Sequence, residues 1–258
     1  MFQEERLLYI MEHLNKHQSM SVADICQKTG VSRDTARRDI VRLEEQGVVV
    51  RTHGGVALPR LHKELATYQD RLIDAFDAKQ CIGRIAAGLI RDGETVMLDV
   101  STTVRAVAEQ LTAKGVTIVT HSIDNVSALS DREDLQIYLL GGYLNTKNRL
   151  LYGPSVLEKI AEIRADKAII GASAILPDGL YYPFEEDASV KKEMARRVDQ
   201  VIVVADSTKF RNVSRFRLAL DWVDVLITDK DIPEETRKEL ERQHVEILIC
   251  DTTTEKED

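Results

Sequence analysis

The sequence contains no apolar run long enough to cross a bilayer, which takes about 20 residues; its longest apolar stretches, such as Val201 to Ala205, fall far short. The opening MFQEERLLYIMEHLNKH is charged and lacks an apolar core. No secretory leader and no membrane partner are therefore expected, and the address expected is cytoplasmic. Cysteine is scarce: Cys26, Cys81 and Cys250 are odd in number and form no C-x-x-C pair, which argues against disulfides and a zinc cluster. The six histidines read as scattered rather than paired as metal ligands. G-x-G-x-x-G, Walker and H-E-x-x-H motifs are all missing. Neither a metal nor a cofactor is expected. What is present, 43% hydrophobic and 30% charged residues over 258 positions, suits a soluble chain of one small and one medium domain.

The net charge of −8 argues at first sight against a nucleic-acid partner, but its distribution is uneven. The first 60 residues hold nine basic and eight acidic side chains, whereas the remaining 198 hold 26 and 35. Attraction to phosphates follows the local field, screened over roughly 10 Å of salt solution. A weakly basic head on an acidic body is compatible with DNA binding.

In the head, Leu7, Ile10, Met11 and Leu14 follow the spacing of an amphipathic helix. A second helix is expected from the N-cap Ser21, with Asp24 completing a capping box, Val22 and Ile25 facing inward, and Gly30 ending it. Ser32 then caps a third helix to about Gln46, with Ala36, Ile40 and Leu43 as its apolar stripe and Gly47 as its stop. Helix, glycine turn, helix is the helix-turn-helix arrangement. The opposite face of the third helix carries Asp34, Arg38 and Val41, flanked by Thr35, Arg37 and Arg42, and its start carries Ser32 and Arg33. Arginine can bind guanine edges bidentately and hydroxyls can hold phosphate, so this face suits a major groove; a solvated helix face is the plainer alternative. The run Val48 to Leu58, centred on Gly54-Gly55, reads as a β-hairpin. That makes the motif a winged one, with Arg51 and His53 available to the DNA backbone or merely decorating the turn.

Beyond residue 58 the chain loses its period, and 58–78 is expected to be a linker with some helix, after a head of 1–57 and before a body of 79–258. The body alternates short apolar runs with helical segments. Strands are expected at Thr95–Asp99, Val116–Thr120, Leu135–Leu140, Lys167–Gly171, Val201–Ala205, Val225–Thr228 and Val245–Cys250, and helices at 103–113, 123–130, 154–163, 188–198 and 234–242. The fold class expected is α/β: a winged helix-turn-helix followed by a larger alternating, Rossmann-like domain with a mostly parallel sheet. Ligands of such sheets sit at the carboxyl ends of strands. Four polar clusters fall there. Asp99, Ser101, Thr102 and Thr103 offer hydroxyls and helix amides for a phosphate, with Asp99 able to accept sugar hydroxyls. Thr120 and Ser122 follow the second strand, Gly141 and Gly142 the third, and Asp206 and Lys209 the fifth, where the lysine offers a charge to an anion. N-caps and turns account for each cluster singly; together they favour a binding site. Lys191-Lys192 and Arg196-Arg197 read as solvated charge.

The unbroken run Gly30-Val31-Ser32-Arg33-Asp34-Thr35-Ala36-Arg37-Arg38-Asp39-Ile40, continuing through Leu43-Glu44 and Gly47 to Arg51-Thr52-His53-Gly54-Gly55, resembles the N-terminal signature of the DeoR family of bacterial regulators. Lys79, Ile82, Ala86, Asp99-x-Ser101-Thr102-Thr103, Gly141-Gly142, Asp178-Gly179 and Ala205-Asp206-Ser207-Thr208-Lys209-Phe210 resemble that family's sensor domain. The resemblance implies a fold like ribose-5-phosphate isomerase and the coenzyme A transferases, a phosphorylated sugar effector, and repression of a carbohydrate operon relieved by that effector. It also adds Asp187 and Lys191, from a Glu-Ala-x-Val-Lys pattern, to the ligand set. The departures are Ala36 for isoleucine, His121 for the asparagine of Thr-Asn-Ser, Asn145 where an arginine is common, and Asp187 for glutamate. Partners implied are a double-stranded operator, the sugar phosphate and a second copy or more of the chain, as dimer or tetramer. The competing reading is an isomerase or transferase with a DNA-binding appendage, for which Glu185, Glu186 and Asp187 are the clustered acid–base candidates. A regulator without turnover is the expectation, because a winged head has no use in an isomerase. A purely architectural DNA binder leaves the strand-end clusters unexplained.

Overall fold

The computed structural model describes residues 2–17, 19–45, 49–52, 54–57, 68–230 and 232–250. The chain divides into two compact units, Met1–Leu65 and Ala66–Asp258.

In the first unit, α1 (Gln3–His17), α2 (Val22–Thr29) and α3 (Arg33–Glu45) enclose a core of Ile10, Leu14, Ile25, Ala36, Ile40, Leu43 and Val56. The expected capping box is formed: the Ser21 hydroxyl accepts from the Asp24 amide at 3.0 Å, and the Asp24 carboxylate receives the Ser21 amide at 3.4 Å. Gly30 stops α2 in the left-handed region, φ 72°. Ser32 accepts from the Thr35 amide at 3.3 Å and opens α3. The expected hairpin is β2 (Val50–Thr52) and β3 (Gly55–Ala57), joined on the far side of β3 by a strand the sequence did not announce, β1 (Ser19–Ser21). That third strand explains one glycine. Gly54 makes the turn at φ 102°, but a Cβ on Gly55 would lie 2.3 Å from the Met20 carbonyl oxygen, so the crossing of β1 demands glycine there. A buried ion pair, Arg6 to Asp39 at 2.7 Å, ties α1 to α3. His13 and His17 stand one turn apart on α1 with ring centroids 4.4 Å apart, which corrects the reading of the histidines as scattered. Among the described residues no cluster of three or more metal-ligating side chains occurs.

The second unit is built on a seven-stranded parallel sheet. Its strands are β4 (Thr95–Leu98), β5 (Thr117–Thr120), β6 (Gln136–Leu139), β9 (Ala165–Gly171), β12 (Val198–Val204), β14 (Val225–Thr228) and β15 (Glu246–Ile249), in the order β15-β14-β12-β9-β4-β5-β6. Every expected strand takes part. Near-continuous apolar stretches such as Val201–Ala205 are buried on both faces, as a doubly covered sheet requires. On one face lie α5 (Phe76–Gly88), α6 (Thr102–Glu109) and α7 (Ile123–Leu129); on the other lie α8 (Pro154–Ala161), α9 (Glu185–Arg196) and α10 (Glu234–Arg242). Two smaller sheets were not foreseen: the hairpin β7 (Tyr143–Asn145) with β8 (Leu150–Tyr152), and an antiparallel trio of β10 (Ala174–Leu176), β11 (Gly179–Tyr182) and β13 (Phe216–Leu218). Strands of three or four residues are too short to show an alternating period. Of the expected linker, 58–67 lies outside the described residues, while 68–78 forms α4 (Tyr68–Ile73) and the start of α5 within the second unit. No helix of the described residues is long and apolar enough to cross a membrane.

The chain lays down β4, moves outward through β5 to β6, then returns to the other side of β4 with β9 and continues through β12 to β15. The direction of winding therefore reverses between β4 and β9. Loops diverge at such a switch point and leave a crevice beyond the strand ends, the usual ligand position in open α/β sheets.

Candidate functional site

Asp99 follows β4 at this switch point and is fully buried. One carboxylate oxygen accepts from the Gly171 amide at the end of β9, at 3.0 Å; the other lies 2.9 Å from Lys191 Nζ and 4.0 Å from His121 Nε2. Lys191 comes from α9, is also paired with Asp187 one turn earlier, and stands 4.7 Å over the ring of Tyr182. Burial alone would drive the lysine neutral, but Asp187 and Asp99 outweigh it and hold its pKa above the ordinary value. Asp99 is held low against the cost of burial by Lys191, His121 and the Gly171 amide. Asp187 is pushed up, mainly by burial, with the Asp99 charge adding to it against Lys191. His121 is fully buried, and burial together with Lys191 pushes it down to about 4 despite Asp99. At neutral pH the centre therefore holds a charged lysine and a neutral imidazole.

The loop ends around this centre are fastened by side-chain hydrogen bonds. Thr120 donates to the Leu98 carbonyl at 2.7 Å and accepts from Asn125 Nδ2 at 3.2 Å, while the same Asn125 amide donates to the Asp99 carbonyl at 3.0 Å. Ser122 caps α7 and Ser101 caps α6, through the Asn125 and Val104 amides at 3.2 and 2.9 Å. A Cβ on Gly171 would lie 2.6 Å from Ser101 Cβ, so β9 approaches the α6 loop too closely for any other residue. Thr102 and Thr103 form the buried first turn of α6, where amides have no intrahelical acceptor.

Four cations border the centre. Arg71 on α4 stacks 5.6 Å over Tyr68. Lys79 on α5 is buried and donates to the Arg71 and Asp74 carbonyls, fixing the end of α4. Burial lowers the Lys79 pKa, with Asp206 opposing and Lys209 adding to the effect. Lys209 itself lies 3.4 Å from Asp206. Arg149, in the left-handed region at φ 56°, holds Asp124 at 2.7 Å. Several buried polar atoms here have no protein partner: Arg71 Nε, His121 Nδ1, Asn125 Oδ1 and the Tyr182 hydroxyl; the Tyr68 hydroxyl has Arg105 beside it but no acceptor.

In the first unit, Ser32, Arg33, Asp34, Arg37, Arg38, Arg42 and Arg51 are exposed and Thr35 partly so. Arg33, Arg37 and Arg51 line one groove of about 400 Å³ with Ile40, Thr52 and Gly54, so the hairpin and the start of α3 present a shared basic surface. Arg42 is turned to Gln3 of α1 at 2.9 Å, and Arg51 lies 3.6 Å from Glu44. His53 lies outside the described residues.

Residues 6–61 match the DeoR-like helix-turn-helix domain and residues 74–230 the DeoR C-terminal sensor domain. The chain belongs to the DeoR family. It is a helix-turn-helix transcriptional regulator with a sensor domain. The transcriptional repressor GlcR of Bacillus subtilis (strain 168) is 44% identical over 253 residues, 97% of this chain and 98% of its own. The glycerol-3-phosphate regulon repressor of Escherichia coli (strain K12) is 30% identical over 253 residues, 97% and 100% of the two chains. Ribose 5-phosphate isomerase A from Methanocaldococcus jannaschii is similar at 16% identity and a TM-score of 0.37, over 52% of this chain and 54% of its own. A likeness of that size says nothing about activity.

Several expectations for the DeoR sensor site need correction. Asp99 already meets the Gly171 amide and Lys191, so a sugar hydroxyl would share its carboxylate with them. Lys191 is not solvated charge; it is 2% exposed, since two carboxylates offset its desolvation, whereas Lys192 is exposed as expected. The Thr120 and Ser122 hydroxyls serve the protein's own backbone. Gly142 is needed for the chain itself, a Cβ there meeting the Tyr152 carbonyl oxygen at 2.5 Å, and it lies by β6, two strands from the switch point. Asp206 is taken up by the Thr208 amide at 3.1 Å and by Lys209. Sequence reasoning missed Tyr68 and Arg71 in the presumed linker, along with Asn125, Arg149 and Tyr182. The i, i+4 pair Tyr68 and Leu72 was the available signal for α4. Asn145 stands where an arginine was looked for, and the β7–β8 hairpin brings Arg149 to the site instead.

Proposed function

We propose that this DeoR-family regulator represses a carbohydrate operon and leaves its operator when a phosphorylated sugar binds at the switch point. The observation that carries the reading is the set of unpartnered buried polar atoms there, bordered by Arg71, Lys79, Lys209 and Arg149, on a chain that also has a basic helix-turn-helix face. An unsatisfied buried polar group costs about 1–3 kcal/mol, which a polyhydroxylated anion recovers by bonding to it. In this reading Ser101, Thr102, Thr103 and Lys209 hold the phosphate and Asp187 and Lys191 the sugar. Residues Ser32 to Arg42 enter the major groove, while Arg51 meets phosphate. The relatives named as repressors, one of a glycerol-3-phosphate regulon, agree with this class. The protein acts as a dimer or tetramer, to match a two-fold operator; light scattering of the pure protein tests that. A melting screen against pentose, hexose and triol phosphates tests the effector class, since a ligand present at 100 times its Kd adds about 2.7 kcal/mol to native stability. A panel in which none raises the melting temperature refutes it.

Binding without turnover is part of the proposal. Of the acid–base candidates, Glu185 and Glu186 are exposed, and Asp187 is neutralised by a lysine that Asp99 also holds. Sustained isomer formation seen by NMR, lost in Asp187→Asn, would replace this reading with an enzymatic one.

A further inference from the structure

We propose that Tyr68 and Arg71, on the helix that directly follows the DNA-binding unit, contact the effector's anionic group, so that α4 is a movable wall of the ligand site. This rests on the reading that the switch point takes a phosphorylated metabolite. Tyr68 is 1% exposed although α4 has only six residues, and its hydroxyl has no well-formed partner. Arg71 stacks on that ring, and its Nε is buried without an acceptor. A phenol hydroxyl and a guanidinium Nε on two stacked side chains, both lacking acceptors, suit the oxygens of a phosphate, which a guanidinium binds in fork geometry.

The surroundings support the same ligand. The α4 helix packs on α6, the helix whose first turn carries Thr102 and Thr103. Arg105 on α6 and Arg149 both bear electrostatically on Tyr68, while Asp99 and Asp187 bear on Arg71. The nearby carboxylates Asp124 and Glu109 are already matched, by Arg149 at 2.7 Å and Arg105 at 2.8 Å. Arg71 therefore carries the charge with the most to gain from an anion.

A helix this short has no stability of its own and stays folded only through its contacts. In the protein those are the stack of Arg71 on Tyr68, packing on α6, and the buried ammonium of Lys79 on its last carbonyls. An anion bridging Tyr68, Arg71 and the first turn of α6 adds charge-assisted bonds to that set and ties α4 down. The first unit ends at Leu65, and α4 begins at Tyr68. Ligand occupancy is thus written onto the stretch of chain closest to the DNA-binding unit.

The test uses the full chain and five probes: inorganic phosphate, glycerol 3-phosphate, ribose 5-phosphate, glucose 6-phosphate and fructose 6-phosphate. Calorimetry gives affinity, and hydrogen–deuterium exchange follows the amides of 69–74. The probe that binds is expected to slow exchange in α4 about tenfold or more. Arg71→Gln should weaken its binding at least tenfold, Arg71→Lys should restore part of that, and Tyr68→Phe should cost roughly threefold or more. Should Arg71→Gln lose its cooperative melt, Tyr68→Phe and Arg71→Lys, which keep the shape of the site, decide the matter. A probe that binds wild type and both variants equally, with α4 exchange unchanged, overturns the role of α4 and leaves the effector reading standing. If none of the five binds, both fall.

Discussion

Replacing Lys191 by methionine keeps the volume but removes the ammonium that Asp99 and Asp187 share. Breaking a buried pair from one side costs about 3–5 kcal/mol, because the remaining charge stays desolvated. Here the protein has a substitute, and that makes the prediction specific. His121 Nε2 lies 4.0 Å from Asp99 and titrates at about 4, because burial and Lys191 both disfavour its charge. Two charges 4 Å apart interact by about 4 kcal/mol at an effective dielectric near 20, or about 3 pKa units. The Asp99 attraction at 4.0 Å already acts in wild type, so losing Lys191 removes only the smaller, opposing repulsion and raises His121 from about 4 part of the way toward its unfolded value of about 6.5. In wild type the folded pKa lies below the unfolded one, so stability is lost as pH falls from about 6.5 toward 4. In Lys191→Met the folded pKa of His121 lies nearer the unfolded one, so less stability is lost as pH falls from about 6.5. Asp187, already raised, takes a proton more readily in the variant and adds to the same trend. Asp99 is held low in wild type chiefly by Lys191, so it too rises in the variant and adds to the same trend. Urea unfolding at pH 5, 6, 7 and 8 should therefore show a deficit of about 3–5 kcal/mol at pH 8 that shrinks as the pH falls to 5. A deficit independent of pH, or a His121 ring proton still titrating near 4, refutes the reasoning.

Gly171→Ala places a Cβ 2.6 Å from Ser101 and should cost about 1–3 kcal/mol in chemical denaturation, as overpacking does; wild-type stability would show that the α6 loop is free to move. Ser21→Ala removes the cap of α2 and should destabilise the first unit by about 0.5–2 kcal/mol in a thermal melt, with no change meaning that Asp24 alone satisfies the helix end. Arg38→Ala should weaken binding to the specific operator by about 1–3 kcal/mol in fluorescence anisotropy, and an equal loss on random DNA would assign Arg38 to phosphate instead. Lys209→Ala should abolish the response to effector while leaving operator affinity intact, an unchanged dose–response placing the anion elsewhere.

The helices of the first unit and the strands of the seven-stranded sheet were legible because local rules govern them. Ser21 with Asp24, Gly30 and Ser32 announce helix ends through hydrogen bonds spanning at most four residues. Buried parallel strands announce themselves as apolar runs such as Ile169–Gly171 and Val201–Val204. What was not legible depends on residues far apart in the chain. Gly55 looks like half of a turn until β1 crosses it, and Asp39 looks like part of a charged helix face until Arg6, 33 residues away, reaches it. Lys191 looks solvated beside Lys192, and only the meeting of β4 with α9 shows that two carboxylates bury it.

The site followed the same division, with a consequence for how it works. Strand-end positions were found because parallel sheets put loops there whatever the sequence. The roles of the residues were less legible because a hydroxyl after a strand serves equally as a cap or as a ligand contact. Thr120 and Ser122 fasten the loop ends, and Ser101 caps α6. Their hydrogen bonds fix the floor of the crevice, so the part of it that responds to a ligand has to come from elements held less firmly. Among those bordering the centre, α4 is the shortest α-helix of the described residues, anchored by a stack, packing on α6 and one lysine, and it lies in the segment with no visible period. Absence of period and lack of independent stability have one cause: too few apolar residues to dock a helix without help. A regulator needs such an element, because an effector shifts an equilibrium only where its binding energy differs between two states. The stretch hardest to read in the sequence is for that reason the one where the effector has most to change.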